Sequence, residues 1–305
     1  MQSIYDKITG RIVQAIEAGA NAKDWRMPWH RKGASSEGMP INVSTGNGYQ
    51  GANVLVLWAE AQAMAYATAS WATYKQWQTL GAQVRKGEHG TACIKWKQVE
   101  DRRRPADASQ DGRSVMVGLG FTVFNAAQVD GWTGAEAAEP QTDLTQRLAH
   151  ADQVIAASGA TIRHEGARAY YRPSQDLVVL PERFRFIDTK EGTATQRYYS
   201  TTFHELAHWT GAEARCNRSL RGRFGDEAYA AEELIAELSA AFTCGRLGID
   251  NEPRDDHAQY LASWLKVLKN DTRAIFTAAS QAQKATAFLL DRLPAPIAEP
   301  LPLAA

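Results

Sequence analysis

The sequence predicts an α+β protein of two domains, and three observations predict it. Its 305 residues exceed the roughly 100–200 residues of an ordinary single domain. The front part mixes helix-length periodic stretches with short strand-like segments, whereas the last third is almost wholly helical in pattern. Between the two lies GWTGAEAAEPQTD, small, acidic and proline-containing, which has the composition of a connecting segment. We therefore expect an α+β domain over residues 1–135, a linker at 136–142, and a mainly helical domain with a small sheet over 143–305.

Taken in order, Ile4, Ile8, Ile12, Val13 and Ile16 recur at helical spacing over residues 3–18, and Gly19 marks a stop. WRMPWH and RKGASSEGMP read as loop, and NVSTGNGYQG as turns. NVLVLWAEAQAMAYA predicts a second helix with Asn53 as its N-cap, and TYKQWQTLG a third, ended by Gly81. AQVRKG, TACIKWKQVE and SVMVGLGFTVFNAAQV have strand composition. The last two flank DRRRPADASQDG and predict a hairpin with a long basic loop. In the second half LTQRLAHADQVIAASG predicts a helix, and ATIRHEG and ARAYYRPSQDLVVLP predict strands joined by a turn at PSQD. Four helices follow at about 195–210, 227–247, 255–270 and 271–291. The tail PAPIAEPLPLAA is rich in proline and alanine and is expected to fray.

Composition narrows the function classes. Cys93, Cys216 and Cys244 are scattered and odd in number, which argues against a disulfide framework and for a reducing, cytoplasmic setting. The start lacks the basic and apolar regions of a signal peptide. The longest apolar run, around VLVLW, is far short of the ~20 residues that span a bilayer. No membrane partner is expected, and a monomer is.

A formal net charge of zero hides an asymmetry. Residues 1–135 hold 15 Lys and Arg against 11 Asp and Glu, and residues 71–104 hold 8 against 3. Seven of the nine tryptophans precede residue 133. Aromatics interleaved with cations suit a groove that stacks bases and tracks phosphates of a single strand without regard to sequence. Trp25, Trp29, Tyr49, Trp71 and Tyr74 are the stacking candidates. Lys75, Arg85, Lys86, Lys95, Lys97, Arg102, Arg103 and Arg104 are the phosphate contacts expected. Trp58 and Trp77 sit at helical core spacing and read as packing.

The sharpest signal is HELAH at 204–208. His204 and His208 are four apart, so one helix face presents two imidazoles to one ion, and Glu205 is placed to take a proton from water and return it to a leaving group. The ion expected is Zn²⁺, with Mn²⁺ or another divalent metal as alternatives. A further acidic helix, YAAEELIAELSAAF, offers the third ligand. We assign Glu233 to that role, Glu237 to orienting a histidine, and Glu232 to solvent, with exchange of Glu233 and Glu237 the open alternative. Three protein ligands leave one coordination place open, which suits catalysis rather than a closed structural site. Tyr198, Tyr199 and Tyr229 are candidates for stabilising an oxyanion.

PINVSTGNGYQGANVLVLW, WATYKQWQTLGAQVRKGEHGT, YYSTTFHELAHWTGAEARCNRSL, GRFGDEAYAAEELIAELSAAF and YLASWLKVLKND together resemble the plasmid-borne ArdC antirestriction proteins. The first part also resembles a module of some plasmid conjugation primases. The resemblance implies a domain that binds single-stranded DNA joined to a zincin-like metallopeptidase domain, protecting plasmid DNA from host restriction during conjugation. It implies His204, His208 and Glu233 as ligands and Glu205 as the catalytic carboxylate. Two functions then compete: a peptidase acting on a protein associated with DNA or restriction, and a DNA-binding protein whose metal site is structural or vestigial. A nuclease fits less well, because one HExxH ion suits water attack on a carbonyl better than a two-metal phosphodiester site.

Overall fold

A computed structural model describes residues 3–21, 27–30, 38–100, 114–133, 144–189, 192–218, 227–251 and 257–293. The expected linker at 136–142, the basic loop with Arg102, Arg103 and Arg104, Trp25 and the proline-rich tail lie outside the described residues.

Helix α1 (Ile4–Ala20) starts in a Ser3–Asp6 capping box and buries Ile8, Ile12, Val13 and Ile16. After β1 (Ile41–Asn42) comes α2 (Ala52–Ala63), and it does not start as expected. Gly51, at φ 57°, turns the chain into the helix. Asn53 instead reaches the neighbouring strand, donating to the Ile94 carbonyl at 2.8 Å and accepting from its N–H at 2.9 Å. A tertiary pair of hydrogen bonds has replaced a local cap. Next come β2 (Ser70–Ala72), α3 (Tyr74–Thr79), entered through a Thr73–Gln76 capping box, and β3 (Gln83–Val84).

Strands β4 (Thr91–Glu100) and β5 (Ser114–Asn125) form the expected hairpin, in register from Thr91 opposite Val123 to Glu100 opposite Ser114. The sheet order is β1-β2-β5-β4, and β3 pairs with β6 (Val129–Asp130). Helix α1 lies across the hairpin where Gly118 leaves room: a Cβ there would come within 2.5 Å of Ile94 Cδ1 and 2.7 Å of the Tyr5 hydroxyl.

The second half begins with α4 (Leu144–Ser158) and a three-stranded sheet of order β7-β9-β8, from β7 (Thr161–His164), β8 (Tyr170–Arg172) and β9 (Leu177–Leu180). All four residues of the central β9 are buried. Helices α5 (Ala194–Thr210), α6 (Glu227–Leu247), α7 (His257–Asn270) and α8 (Ala274–Leu290) complete the chain. No described helix is long and apolar enough to cross a membrane.

The fold is α+β with two domains, and these share a core. The largest apolar cluster joins Ile8, Ile12, Leu55 and Trp58 of α1 and α2 to Phe242, Trp264 and Ile275 of α6, α7 and α8. The Trp58 and Phe242 rings lie 5.9 Å apart across that boundary. A second cluster lies between α4, the small sheet and α5.

Candidate metal centre

Helix α5 is fixed before it presents any chemistry. A Thr193–Gln196 capping box starts it, and Phe203 and Leu206 bury one side of it in the second core. This leaves His204 and His208 facing α6, and His204 and Glu205 are each 2 % exposed.

The structure brings His204, His208 and Glu233 together, one ligand atom from each within 4.8 Å of the others. The two Nε2 atoms are 3.1 Å apart. Glu233 stands 3.4 Å from His204 Nε2 and 3.6 Å from His208 Nε2. Ligand bonds of about 2.0–2.1 Å in a tetrahedron require ligand atoms roughly 3.3 Å apart, so these separations fit one divalent ion. The three groups also interact with one another electrostatically. Burial opposes a charge on Glu233, yet the imidazoles of His204 and His208 hold its carboxyl well below the usual range. Burial likewise opposes a charged His208, but Glu232 and Glu233 outweigh it and lift its pKa to about 10. An ion entering here displaces protons, since imidazole binds metal only when neutral.

Each histidine has a carboxylate behind it. Glu237 Oε2 is 3.5 Å from His204 Nδ1, and Glu232 Oε1 is 3.3 Å from His208 Nδ1. Glu232 therefore does not face solvent as expected. It is 8 % exposed and tied to Arg218, whose guanidinium also donates to the Ala207 carbonyl at 2.6 Å and the Thr210 hydroxyl at 2.9 Å. Arg218 escaped the sequence reading because its partners lie on two other helices and no periodicity marks it. Of the tyrosines, Tyr199 is engaged with Asp152 at 2.9 Å and Tyr198 with His164 at 3.1 Å. Tyr229 alone of the three lies beside Glu233, and burial together with Tyr260 and that carboxylate raises its phenol.

The nucleic-acid candidates divide. Trp29, Trp71 and Tyr49 are 0 %, 1 % and 8 % exposed, so none offers a face to a base in this structure, and the stacking expectation for these three is corrected. Trp29 packs edge-on against Trp264, Trp71 against Tyr66, and Tyr49 receives Asn42 Nδ2 at 3.4 Å. Tyr74, Lys75, Arg85, Lys86, Lys95 and Lys97 are exposed. Arg85 is partly spoken for by Glu88 at 2.8 Å. Trp96, which the sequence reading passed over as a contact, is 47 % exposed on the hairpin.

A helix-borne HExxH met by a glutamate of the following helix defines a zincin-like metallopeptidase domain, here attached to an α+β domain. Residues 149–281 match the sequence profile of a zincin-like metallopeptidase and residues 2–124 that of the N-terminal domain of the anti-restriction factor ArdC. The fold is shared with crystal structures of the antirestriction ArdC protein of plasmid R388, metal-free and Mn(II)-bound, each with a TM-score of 0.75 over 96 % of this chain and 98 % of that one, at 36 % and 37 % identity. The chain belongs to the ArdC antirestriction family. It is also 46 % identical over 285 residues to the uncharacterized protein y4eC of Sinorhizobium fredii, covering 92 % of this chain and 89 % of that one. A DNA primase TraC of Escherichia coli is 38 % identical over 301 residues, and the chain spans 27 % of its length.

Proposed function

We propose that the protein is an antirestriction factor that binds single-stranded DNA through its first domain and carries a Zn²⁺-dependent peptidase-like site in its second, protecting plasmid DNA during conjugation. The observation that carries the enzymatic part is the convergence of His204, His208 and Glu233 within 4.8 Å, with Glu205 buried on the helix that bears both histidines. The bound ion would supply a Lewis acid that acidifies water and polarises a carbonyl. His204, His208 and Glu233 would hold the ion, the imidazoles through Nε2, with Glu237 and Glu232 beside the Nδ1 atoms of His204 and His208. Glu205 takes the proton of the attacking water on its carboxylate and passes it to the leaving amine. We assign the Tyr229 hydroxyl as donor to the developing oxyanion, a role that its nearness to Glu233 supports.

The DNA part rests on the exposed cations and aromatics of α3 and the hairpin. Mn²⁺ is the alternative ion, as in the R388 relative.

The test is Glu205→Ala in the full chain, assayed for metal content, single-strand binding and antirestriction. Loss of antirestriction with the first two intact supports the peptidase as the working part. Full antirestriction would transfer the function to DNA binding alone, with the metal site structural or vestigial.

A further inference from the structure

The first domain reaches into the metal centre. Residues 27–30 form a short described stretch whose side chains point inward: Met27, Trp29 and His30 are 1 %, 0 % and 5 % exposed. The Met27 N–H donates to His30 Nδ1 at 3.0 Å, which leaves the ring proton on Nε2. That Nε2–H meets Glu237 Oε1 at 2.9 Å, and the Trp29 indole N–H donates to the same oxygen at 3.2 Å. From the other side, Asn251 Nδ2 donates to the Trp29 carbonyl at 3.3 Å. Glu237 thus carries two N–H donors from the first domain on Oε1, while its Oε2 faces His204 Nδ1.

We propose that Trp29 and His30 are positioning residues of the metal centre, setting the affinity of the His204, His208 and Glu233 site through Glu237. The physical reason is the cost of a buried carboxylate. Its charge stays in place only where donors compensate for lost water. Without the two donors Glu237 loses two of the bonds that fix its carboxylate beside His204, and the imidazole loses the settled carboxylate neighbour, 3.5 Å from its Nδ1, that favours its orientation toward a cation. The metal centre of the second domain is in this sense completed by the first.

This inference rests on the metal reading of the site, and the experiment separates the two. Zn²⁺ and Mn²⁺ dissociation constants would be measured by chelator competition on the full chain at fixed pH, with Co²⁺ absorption reporting ligand geometry. His204→Ala should abolish binding; unchanged binding there would overturn the metal site itself. Trp29→Phe and His30→Leu together should weaken the ion about 10–100-fold and shift the Co²⁺ bands. His30→Gln, which keeps an N–H toward Glu237, should recover most of the affinity.

A merely structural role is distinguished by a double-mutant cycle with Glu237→Gln. If the loop acts through Glu237, Trp29→Phe costs little further affinity in that background. Fully additive losses, or wild-type affinity in the double loop variant while His204→Ala has none, would overturn the proposal. Should the double variant fail to fold, the single His30→Leu and Glu237→Gln cycle decides by the same criterion.

Discussion

The metal centre and the outer half of the β4–β5 hairpin are built on opposite terms. At the centre, side chains from 27–30, α5, the segment after it and α6 are buried and engage one another. On the hairpin, Lys95 pairs across the ribbon with Leu119 and Lys97 with Val117, all four exposed, and Met116 is 58 % exposed. Coordination demands positions fixed to a fraction of an ångström, which the packed helices α5 and α6 supply here. Contacts to a charged strand demand reach and charge, which an exposed ribbon supplies. Changes at the first should therefore be costly to structure and changes at the second costly only to binding.

Trp29→Ala tests that contrast most severely. Removing a fully buried indole opens a cavity in the shared core and strips a donor from Glu237, so we expect unfolding to move by at least about 3–5 kcal/mol. Chemical denaturation followed by tryptophan fluorescence measures it. A variant as stable as wild type would return Trp29 to the solvent face assigned from the sequence. Arg218→Ala ranks next. It takes from the buried Glu232 its charged donors, worth about 1.5–3 kcal/mol, and should loosen His208 and the ion together. Gly118→Ala follows at about 1–3 kcal/mol, because the new methyl meets Ile94 Cδ1 and the Tyr5 hydroxyl and must displace those side chains.

The same contrast explains what the sequence made legible. His204 and His208, and Glu233 and Glu237, each sit one helical turn apart, so helix geometry alone set each pair on one face, and the structure brings all four to one centre. The long helices and the hairpin likewise carry their own periodicity. Trp29 carries none. Its burial depends on Trp264 and Glu237, more than two hundred residues away, and a loop residue with aromatic and basic neighbours looks the same whether it faces a base or a core. Asn53 misled for a related reason: its side chain suits a cap, but Ile94 offered it two backbone bonds at once. Glu232 read as exposed because Arg218, its partner, cannot be placed from local pattern.

The mildest change should sharpen the comparison most. Lys95 and Lys97 are exposed on β4, so replacing both by glutamine should move stability by no more than about 0.5 kcal/mol and leave metal content unaltered. If both contact phosphates of a single strand, each accounts for about 0.7 in the slope of log affinity against log salt, so the slope should fall by about 1.4 in the double variant. Affinity should drop severalfold at low salt and converge on wild type as salt rises, because screening removes from both proteins what the variant has already lost. Fluorescence anisotropy with a labelled oligonucleotide across a salt series would show it. An unchanged slope would take the ribbon out of the DNA interface and leave α3 and the Arg85–Lys86 turn to carry it, whereas a loss of metal would join the two regions that the structure keeps apart.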